Sequence, residues 1–326
     1  MLILVTGATG KVGRHFIAGL LDDPRFSQAR IRALCHNRAC AETDQIEVAR
    51  GSIADRDVVD RALSGVTHVV HLATCKETPD DVMDVTIKGL FWLLEGFRTS
   101  ATARQFILIG GDAGIGHFHY RYDVPITEAV PHRAYPGCYA LSKVLEEVML
   151  TQYGIQYGIN ACCLRAPWIM EKDDFKYSLS FGEDVFGGPD WKTLVPEADA
   201  KRYAREGTVP LLRDVDGRPL KRNFVHVDDL VSAILAALDN PRASRELFNI
   251  SMDRPVDYGA VAAYLAHTRG LGSIDIPSRF HSNWMDNSKA KYFLDWRPAY
   301  DLEKLIESAW RYQRSPDDPR TVWYPG

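Results

Sequence analysis

A tyrosine and a lysine placed four residues apart are the side chains of this sequence best suited to acid–base chemistry. Tyr139 and Lys143 have the spacing of one helical face, so a phenol and an ammonium group would point the same way. A nearby ammonium group stabilises a phenolate and lowers a tyrosine pKa from about 10 toward the neutral range. The pair can therefore exchange a proton with a substrate hydroxyl.

The same spacing recurs at Tyr300 and Lys304, and position in the chain distinguishes the two pairs. Tyr139 follows the apolar run Phe106–Ile109, the predicted fifth strand. The carboxyl ends of strands form the edge at which open α/β sheets bind ligands. Tyr300 lies in the far C-terminal region, and we expect it to be structural.

A glycine-rich turn near the start of the chain predicts a dinucleotide-binding site. The apolar run Leu2–Val5 leads into Gly7, Gly10 and Gly13, and an amphipathic helical pattern follows. Gly7 allows a sharp turn, Gly10 lets the backbone approach a phosphate, and Gly13 lets the helix pack closely on the strand. The first turn of that helix offers unpaired N–H groups and a positive dipole end to an anion.

The end of the second predicted strand, Arg30–Cys35, bears on the choice of cofactor. An acidic residue there would bind the adenosine ribose of NAD, but the sequence continues with His36, Asn37 and Arg38. A basic end suits a 2′-phosphate and modestly favours NADP over NAD. The alternative is that His36 and Arg38 are solvated loop residues.

Strands alternate with helices, which predicts an α/β fold with a Rossmann-type, doubly wound parallel sheet. Predicted strands cover residues 2–5, 30–35, 46–48, 67–74, 106–109, 161–165, 223–227 and 247–250, with helices at 56–63, 79–97, 139–153 and 228–238. We expect residues 1–170 to form the dinucleotide-binding domain, with 222–250 returning to it. Residues 171–221 and 251–326 would form a smaller substrate-covering C-terminal part, or lid, in which aromatic side chains including Phe186 are buried.

Composition excludes several classes of partner. The 326 residues are 46% hydrophobic and 25% charged, with a net charge of −4, which argues against nucleic acid and anionic membranes. No apolar run approaches the roughly 20 residues of a membrane span, and no targeting segment is recognisable. The six cysteines lack metal-type spacing, so we expect free thiols in a reducing cytoplasm and no metal site.

The predicted helix 79–97 is apolar on more than one face, which suggests a homodimer through the fourth and fifth helices.

Four further segments complete a resemblance to the extended short-chain dehydrogenase/reductase family, which includes NAD(P)-dependent sugar epimerases and dehydratases. They are His71–Ala73, Leu164–Pro167, Arg222–Asp229 and the C-terminal stretch Asp286–Pro298. The resemblance covers nearly the whole chain and implies an NAD(P)-dependent enzyme in which Tyr139 is the acid/base and Lys143 also holds the nicotinamide ribose. Cofactor contacts are then expected from Gly7, Thr9, Gly10, Lys11, Val12, Gly13, His36, Arg38, Ser52, Ile53, Leu72, Ala73, Thr74, Tyr139, Lys143 and Ala166. Substrate contacts are expected from Thr74, His117, Trp168 and Arg222, whose counterpart often meets a substrate phosphate in nucleotide-sugar enzymes.

The departures from the family pattern concern the active site itself. Gly110-Gly111 replaces the serine or threonine hydroxyl that normally bonds the reacting oxygen, and Ser52 replaces an adenine-side aspartate. Asp112 stands where sugar dehydratases carry an aspartate general acid, but the following glutamate is Ala113, so dehydration is not implied. Asp112 remains a catalytic candidate.

Three interpretations of the missing hydroxyl stay open. In the first, the protein transfers hydride at a secondary alcohol or ketone of a sugar or sugar-derived substrate, which Asp112, Thr74 or His117 orients. In the second, the chemistry is different, for example redox-neutral epimerisation of a nucleotide sugar. In the third, the protein binds the nucleotide as a non-catalytic sensor. The sequence does not distinguish a sugar, a uronate and a nucleotide sugar as substrate.

Overall fold

The centre of the molecule is a parallel sheet of seven strands. A computed structural model describes residues 1–182 and 189–318. The central strands are β1 Leu2–Thr6, β2 Arg30–Cys35, β3 Ile46–Arg50, β4 His68–His71, β5 Gln105–Gly111, β6 Ala161–Ala166 and β11 Leu247–Asn249. Their order is β11-β6-β5-β4-β1-β2-β3, and every neighbouring pair is parallel. This is the doubly wound order predicted from the alternation of strands and helices.

The helices follow the predicted sequence of elements, with differences at the ends. They are α1 Lys11–Asp22, α2 Arg56–Leu63, α3 Pro79–Asp81, α4 Gly89–Thr99, α5 Cys138–Tyr157, α6 Asp174–Tyr177, α7 Glu197–Glu206, α8 Val227–Ala237, α9 Tyr258–Arg269, α10 Ser288–Leu294 and α11 Leu302–Arg311. A π-helical segment, Val82–Lys88, connects α3 and α4 where one helix over 79–97 was expected. The fifth strand continues to Gly111, two residues beyond its predicted end.

Two apolar layers cover the two faces of the sheet. Phe16 of α1 and Ile234 of α8 belong to the buried cluster on one face. Val59 of α2, Leu93 of α4 and Leu150 of α5 belong to the cluster on the other face. The central strands are therefore buried on both sides, which explains their nearly continuous apolar sequence.

A smaller part with its own core covers the carboxyl edge of the sheet. It contains three two-stranded sheets: β7 Trp168–Met170 with β10 Phe224–His226, β8 Val209–Arg213 with β13 Ser273–Pro277, and β9 Lys221–Arg222 with β12 Val256–Asp257. The aromatic residues Phe175, Phe181 and Trp191 are buried in this core. Phe186 lies outside the described residues, as do the rest of 183–188 and 319–326.

The segment 222–250 contributes to both parts. Helix α8 packs against α1, and β11 completes the central sheet beside β6. Strands β9 and β10 instead pair with β12 and β7, outside the central sheet. The predicted single strand 223–227 is thus a short β10 with its own partner, preceded by β9.

Candidate active site

A cavity of about 810 Å³ runs along the carboxyl edge of the central sheet and under the smaller part. Every residue that the sequence singled out for the cofactor, the substrate or catalysis lines it. The predicted set is therefore brought together in one place, although its members come from segments up to two hundred residues apart. The cavity contains both a long groove over the glycine turn and a chamber beside Tyr139.

The glycine turn is built as a close contact between β1 and β4. Gly7 has a φ of +67°, and a Cβ atom there would lie 2.8 Å from the backbone nitrogen of Ala73. The Thr6 hydroxyl accepts hydrogen bonds from the N–H groups of Leu72 and Ala73, at 3.1 and 3.3 Å. Its own proton then bonds Nδ1 of His71 at 2.7 Å. These contacts hold the two strand ends beside each other at the bottom of the groove.

The start of α1 has the features of an anion-binding helix end. Gly10 occupies the N-cap without a capping side chain, and the first turn carries no acidic residue. The N–H groups of this turn and the helix dipole therefore suit the diphosphate of a dinucleotide. The Lys11 side chain points across the groove, where it bonds the Ile169 carbonyl at 3.0 Å and the Asp174 carboxylate. Any contact of Lys11 with a diphosphate would thus come from its backbone.

The groove ends at His36, Asn37 and Arg38 after β2, opposite Ser52 and Ile53 after β3. Among the described residues that line this end, none carries a carboxylate.

Asp55, three residues after Ser52, caps α2 by accepting hydrogen bonds from the N–H groups of Asp57 and Val58. Ser52 bonds the N–H of Ala54 at 3.2 Å, which shapes the turn after β3.

Tyr139 lies in the first turn of α5, with two ammonium groups near its ring. The Lys76 ammonium is 4.1 Å from the ring centroid and that of Lys143 is 5.5 Å away. Lys143 is buried, and its Nζ is 2.7 Å from Oε2 of Glu146. Burial disfavours the charged form of Lys143, but the nearby Glu146 carboxylate and Tyr139 phenol together raise the Lys143 pKa above its usual value. Sequence reasoning missed Lys76, although its place just after the fourth strand was a usable signal.

The two glycines at the end of β5 differ in the space around them. A Cβ atom on Gly110 would lie 2.7 Å from Sγ of Cys163 and 3.2 Å from a Glu147 oxygen, so packing requires glycine there. A Cβ atom on Gly111 would make ordinary contacts, 3.5 Å from the Lys143 side chain and 3.6 Å from the Tyr139 hydroxyl. Gly111 has an extended backbone, with a φ of −145° and a ψ of 149°. Thus the missing hydroxyl leaves an open position directly beside Tyr139.

Asp112, His117 and Arg222 form a hydrogen-bonded chain across the chamber. Nδ1 of His117 bonds the Asp112 carboxylate, while Nε and Nη2 of Arg222 donate to Nε2 of His117 at 3.1 and 2.8 Å. His117 is therefore the neutral tautomer with its proton on Nδ1, which agrees with the lowering of its pKa by burial. Its backbone has a φ of +49°, the left-handed conformation that turns the ring back toward Asp112.

Aromatic rings surround the Arg222 guanidinium. Its central carbon is 3.9 Å from the Trp168 ring centroid and 4.5 Å from that of Phe118. Both ring nitrogens of His117 are occupied in this arrangement, so the histidine positions Arg222. A substrate group could bond His117 only by displacing one of these partners.

Further aromatic rings line the chamber next to Phe118. The rings of His119 and Tyr135 stack at 4.9 Å, and His119 meets Phe280 edge-on at 5.4 Å. Sequence reasoning named none of the three as a substrate contact. The cluster of aromatic residues around 117–120 was a signal for His119, whereas Phe280 is too distant in the chain to be found from spacing.

The protein is of the extended short-chain dehydrogenase/reductase class. This class is defined by the strand order, the glycine turn after β1 and the Tyr139–Lys143 pair on α5. Residues 3–251 match the model of the NAD dependent epimerase/dehydratase family. The chain belongs to this family, as the resemblance of its motifs implied, and is an enzyme of that type.

Known proteins of this group are similar over almost their full length. A UDP-glucose 4-epimerase of Streptococcus mutans is 25% identical over 336 residues, which cover 97% of each chain. An NAD-bound short-chain dehydrogenase/reductase superfamily protein of Agrobacterium tumefaciens superimposes with a TM-score of 0.77 at 23% identity, covering 95% of this chain and 96% of that one. A UDP-glucuronic acid 4-epimerase of Bacillus cereus, in complex with NAD, has a TM-score of 0.74 at 20% identity and covers 96% and 98%. At these identities the two structures show the fold alone.

Across residues 1–182 and 189–318, no helix is both long and apolar enough to cross a membrane.

Proposed function

We propose that the protein transfers hydride between a nicotinamide cofactor and a secondary alcohol or ketone carbon of a sugar or sugar-derived substrate. The observation that carries the proposal is the Tyr139 phenol, which lies beside Lys143 where the cofactor groove opens into the substrate chamber. Tyr139 exchanges the proton of the substrate hydroxyl, and the ammonium groups of Lys143 and Lys76 stabilise its phenolate. The bound nicotinamide supplies or accepts the hydride.

The substrate chamber is suited to a polar ligand with an anionic group. Arg222 is a buried cation that is hydrogen-bonded to the neutral His117 imidazole and to Tyr258 and stacked against aromatic rings, and the Asp112 carboxylate reaches it only through His117. A substrate carboxylate or phosphate would give this guanidinium a directly bonded counter-charge. The rings of Tyr135, His119 and Phe280 offer flat apolar surface to a sugar ring. A uronate and a nucleotide sugar both fit this description.

The main test is a substrate panel followed by cofactor absorbance, with Tyr139→Phe as the variant. Phenylalanine keeps the ring near the Lys76 and Lys143 ammonium groups but cannot move a proton, so turnover should fall by about 10²- to 10⁴-fold while cofactor affinity is unchanged. Tyr300→Phe is the matched control and should retain activity. Full turnover by Tyr139→Phe would show that another residue is the acid/base.

The epimerase alternative is favoured by the relatives, which are named as 4-epimerases of UDP-sugars, and by the position of Arg222 in the chamber. An epimerase returns the hydride to the same carbon and needs no net oxidant. Stoichiometric accumulation of reduced cofactor with substrate would exclude it, and conversion of a UDP-sugar without net change of absorbance would establish it. A sensor would bind the nucleotide tightly and turn over no member of the panel.

We further propose that NADP is preferred to NAD, although similar structures hold NAD. The support is the basic, carboxylate-free end of the groove at His36 and Arg38. Affinities for both reduced cofactors, measured by fluorescence titration, test this. Arg38→Ala should weaken NADPH about tenfold and leave NADH nearly unchanged. A clear preference of the unaltered protein for NADH would contradict the proposal.

A homodimer through α4 and α5 is our proposal for the assembly. Leu141, Val148 and Ile155 are exposed and spaced seven apart, so they form an apolar stripe on one face of α5. Phe91 on the neighbouring α4 is also exposed and packs edge-on against Tyr153. A second copy would bury this surface by two-fold symmetry.

All six cysteines are unpaired, which supports a reducing compartment such as the cytoplasm.

A further inference from the structure

A fully buried carboxylate lies directly behind the Tyr139–Lys143 pair. Glu146 follows Lys143 by three residues on α5, and helical side chains lean toward the N-terminus, so its carboxylate lies over the turn that carries Lys143. Glu146 is 0% exposed and Lys143 3%, and Nζ is 2.7 Å from Oε2. Among the described residues, neither oxygen of Glu146 accepts a hydrogen bond, and the Lys143 ammonium group is its ion-pair partner.

Burying an unpaired carboxylate is costly, and so is burying an unpaired ammonium group. A helix of this kind could carry an apolar residue at position 146, which would pack on the sheet without any such cost. The pair therefore has a role that packing alone does not explain. Its position, one helical turn beyond Lys143, indicates what that role is.

We propose that Glu146 is a positioning residue that keeps Lys143 protonated inside the protein, and so maintains the positive charge beside the Tyr139 phenol. Lys143 is almost completely buried, and burial disfavours its charged form, so we expect it to release its proton without a counter-ion. The inference rests on the proposed role of Tyr139, but it concerns the charge of the pair and not the identity of the substrate.

The other ionisable groups around the pair do not replace this carboxylate. Burial lowers the pKa of His71 on β4 to about 3, so it is uncharged, and burial holds the pKa of the Cys163 thiol on β6 well above its usual value. Glu147 on α5 is already engaged by the Arg165 guanidinium, at 2.9 and 2.7 Å. Of the groups in the described part of the chain, Glu146 and, when ionised, Tyr139 itself act on the charge of Lys143, while the Lys76 ammonium group faces the Tyr139 ring at 4.1 Å. Lys76 is unchanged in every variant used below.

The experiment is an ultraviolet titration of tyrosinate in the cofactor-free full-length protein. The Tyr139 signal is isolated by subtracting the titration of the same protein with Tyr139→Phe, because the chain has 14 tyrosines. Glu146→Gln keeps the shape and removes the charge, so Lys143 loses its proton and the Tyr139 pKa should rise by about one unit or more. Glu146→Met, with similar volume and no polar atoms, should give the same shift, and circular dichroism verifies the fold of each.

A double-mutant cycle with Lys143→Met shows whether Glu146 acts through the lysine. Lys143→Met alone should raise the Tyr139 pKa as Glu146→Gln does, and adding Glu146→Gln to it should change nothing further. An unchanged or lowered Tyr139 pKa in both Glu146 variants would overturn the proposal, as would an equal shift in the Lys143→Met background. The titration needs no substrate, so it remains decisive even if Tyr139→Phe proves active and the proposed function fails.

Discussion

Replacing Gly111 by serine restores the hydroxyl that the family pattern lacks, and it distinguishes the interpretations of this active site. The position accepts a side chain, since its backbone is extended and a Cβ atom would make contacts of 3.5 Å and 3.6 Å with Lys143 and the Tyr139 hydroxyl. The serine Oγ lies one bond farther, within hydrogen-bond distance of an oxygen that is also bonded by Tyr139. We therefore expect a second donor to the reacting oxygen, with no loss of stability.

The size of the effect follows from what such donors contribute elsewhere. Removing one preorganised donor from an oxyanion site costs about 10²- to 10³-fold in kcat. The proposed function requires turnover without this hydroxyl, so we expect the added donor to contribute less than it does elsewhere. Gly111→Ser should raise kcat by about tenfold, which corresponds to about 1.4 kcal/mol of transition-state stabilisation. Cofactor affinity should not change.

The assay is cofactor absorbance on the substrate identified by the panel, with Gly111→Ala as the matched control. Alanine adds the same Cβ atom without the hydroxyl, so the ratio of the two variants isolates the hydrogen bond. If serine and alanine lower kcat equally, the substrate itself fills the space beside Gly111, and the idea that Tyr139 works with an incomplete set of donors is refuted.

Three other outcomes are expected from the contacts described above. Gly110→Ala should destabilise the protein by about 1–3 kcal/mol in chemical denaturation, because its Cβ atom would lie 2.7 Å from Sγ of Cys163; a stability equal to that of the unaltered chain would contradict this packing. Hydrogen bonds to Asp228 and then Glu171 raise the pKa of His15 to about 9, so its stabilisation is complete below about pH 6.5 and is lost as the pH rises through about 9. The melting temperature of His15→Asn should thus fall furthest below that of the unaltered protein at low pH and approach it above about pH 9, and a pH-independent gap would refute the assignment. Ile155→Glu should convert the expected dimer to a monomer in sedimentation, whereas glutamate at Val215, which is also exposed but lies in the smaller part, should leave the mass unchanged.

Much of the fold was predictable because its signals are local. The glycine turn after β1 depends on steric limits at single residues, and the apolar strands depend on burial on both faces. The expected positions of Tyr139 and the cofactor residues followed, since parallel strands bring their carboxyl ends to one edge of the sheet. By contrast, the π-helical segment Val82–Lys88 and the short β9 were missed, and β10, which was predicted as a strand, pairs with β7 outside the central sheet. These features are set by packing between distant segments.

The sequence by itself determined the class of protein and predicted the dinucleotide groove and the Tyr139–Lys143 pair, because each depends on residues close together in the chain. Only the tertiary structure showed how the unusual site is packed. It distinguished Gly110, where packing requires glycine, from Gly111, where there is space for a side chain. It also showed that both ring nitrogens of His117 are hydrogen-bonded, one to Asp112 and the other to Arg222. The physical reason is that free volume, ion pairing and burial are properties of the three-dimensional neighbourhood, and neighbours such as Cys163 and Arg222 come from separate strands.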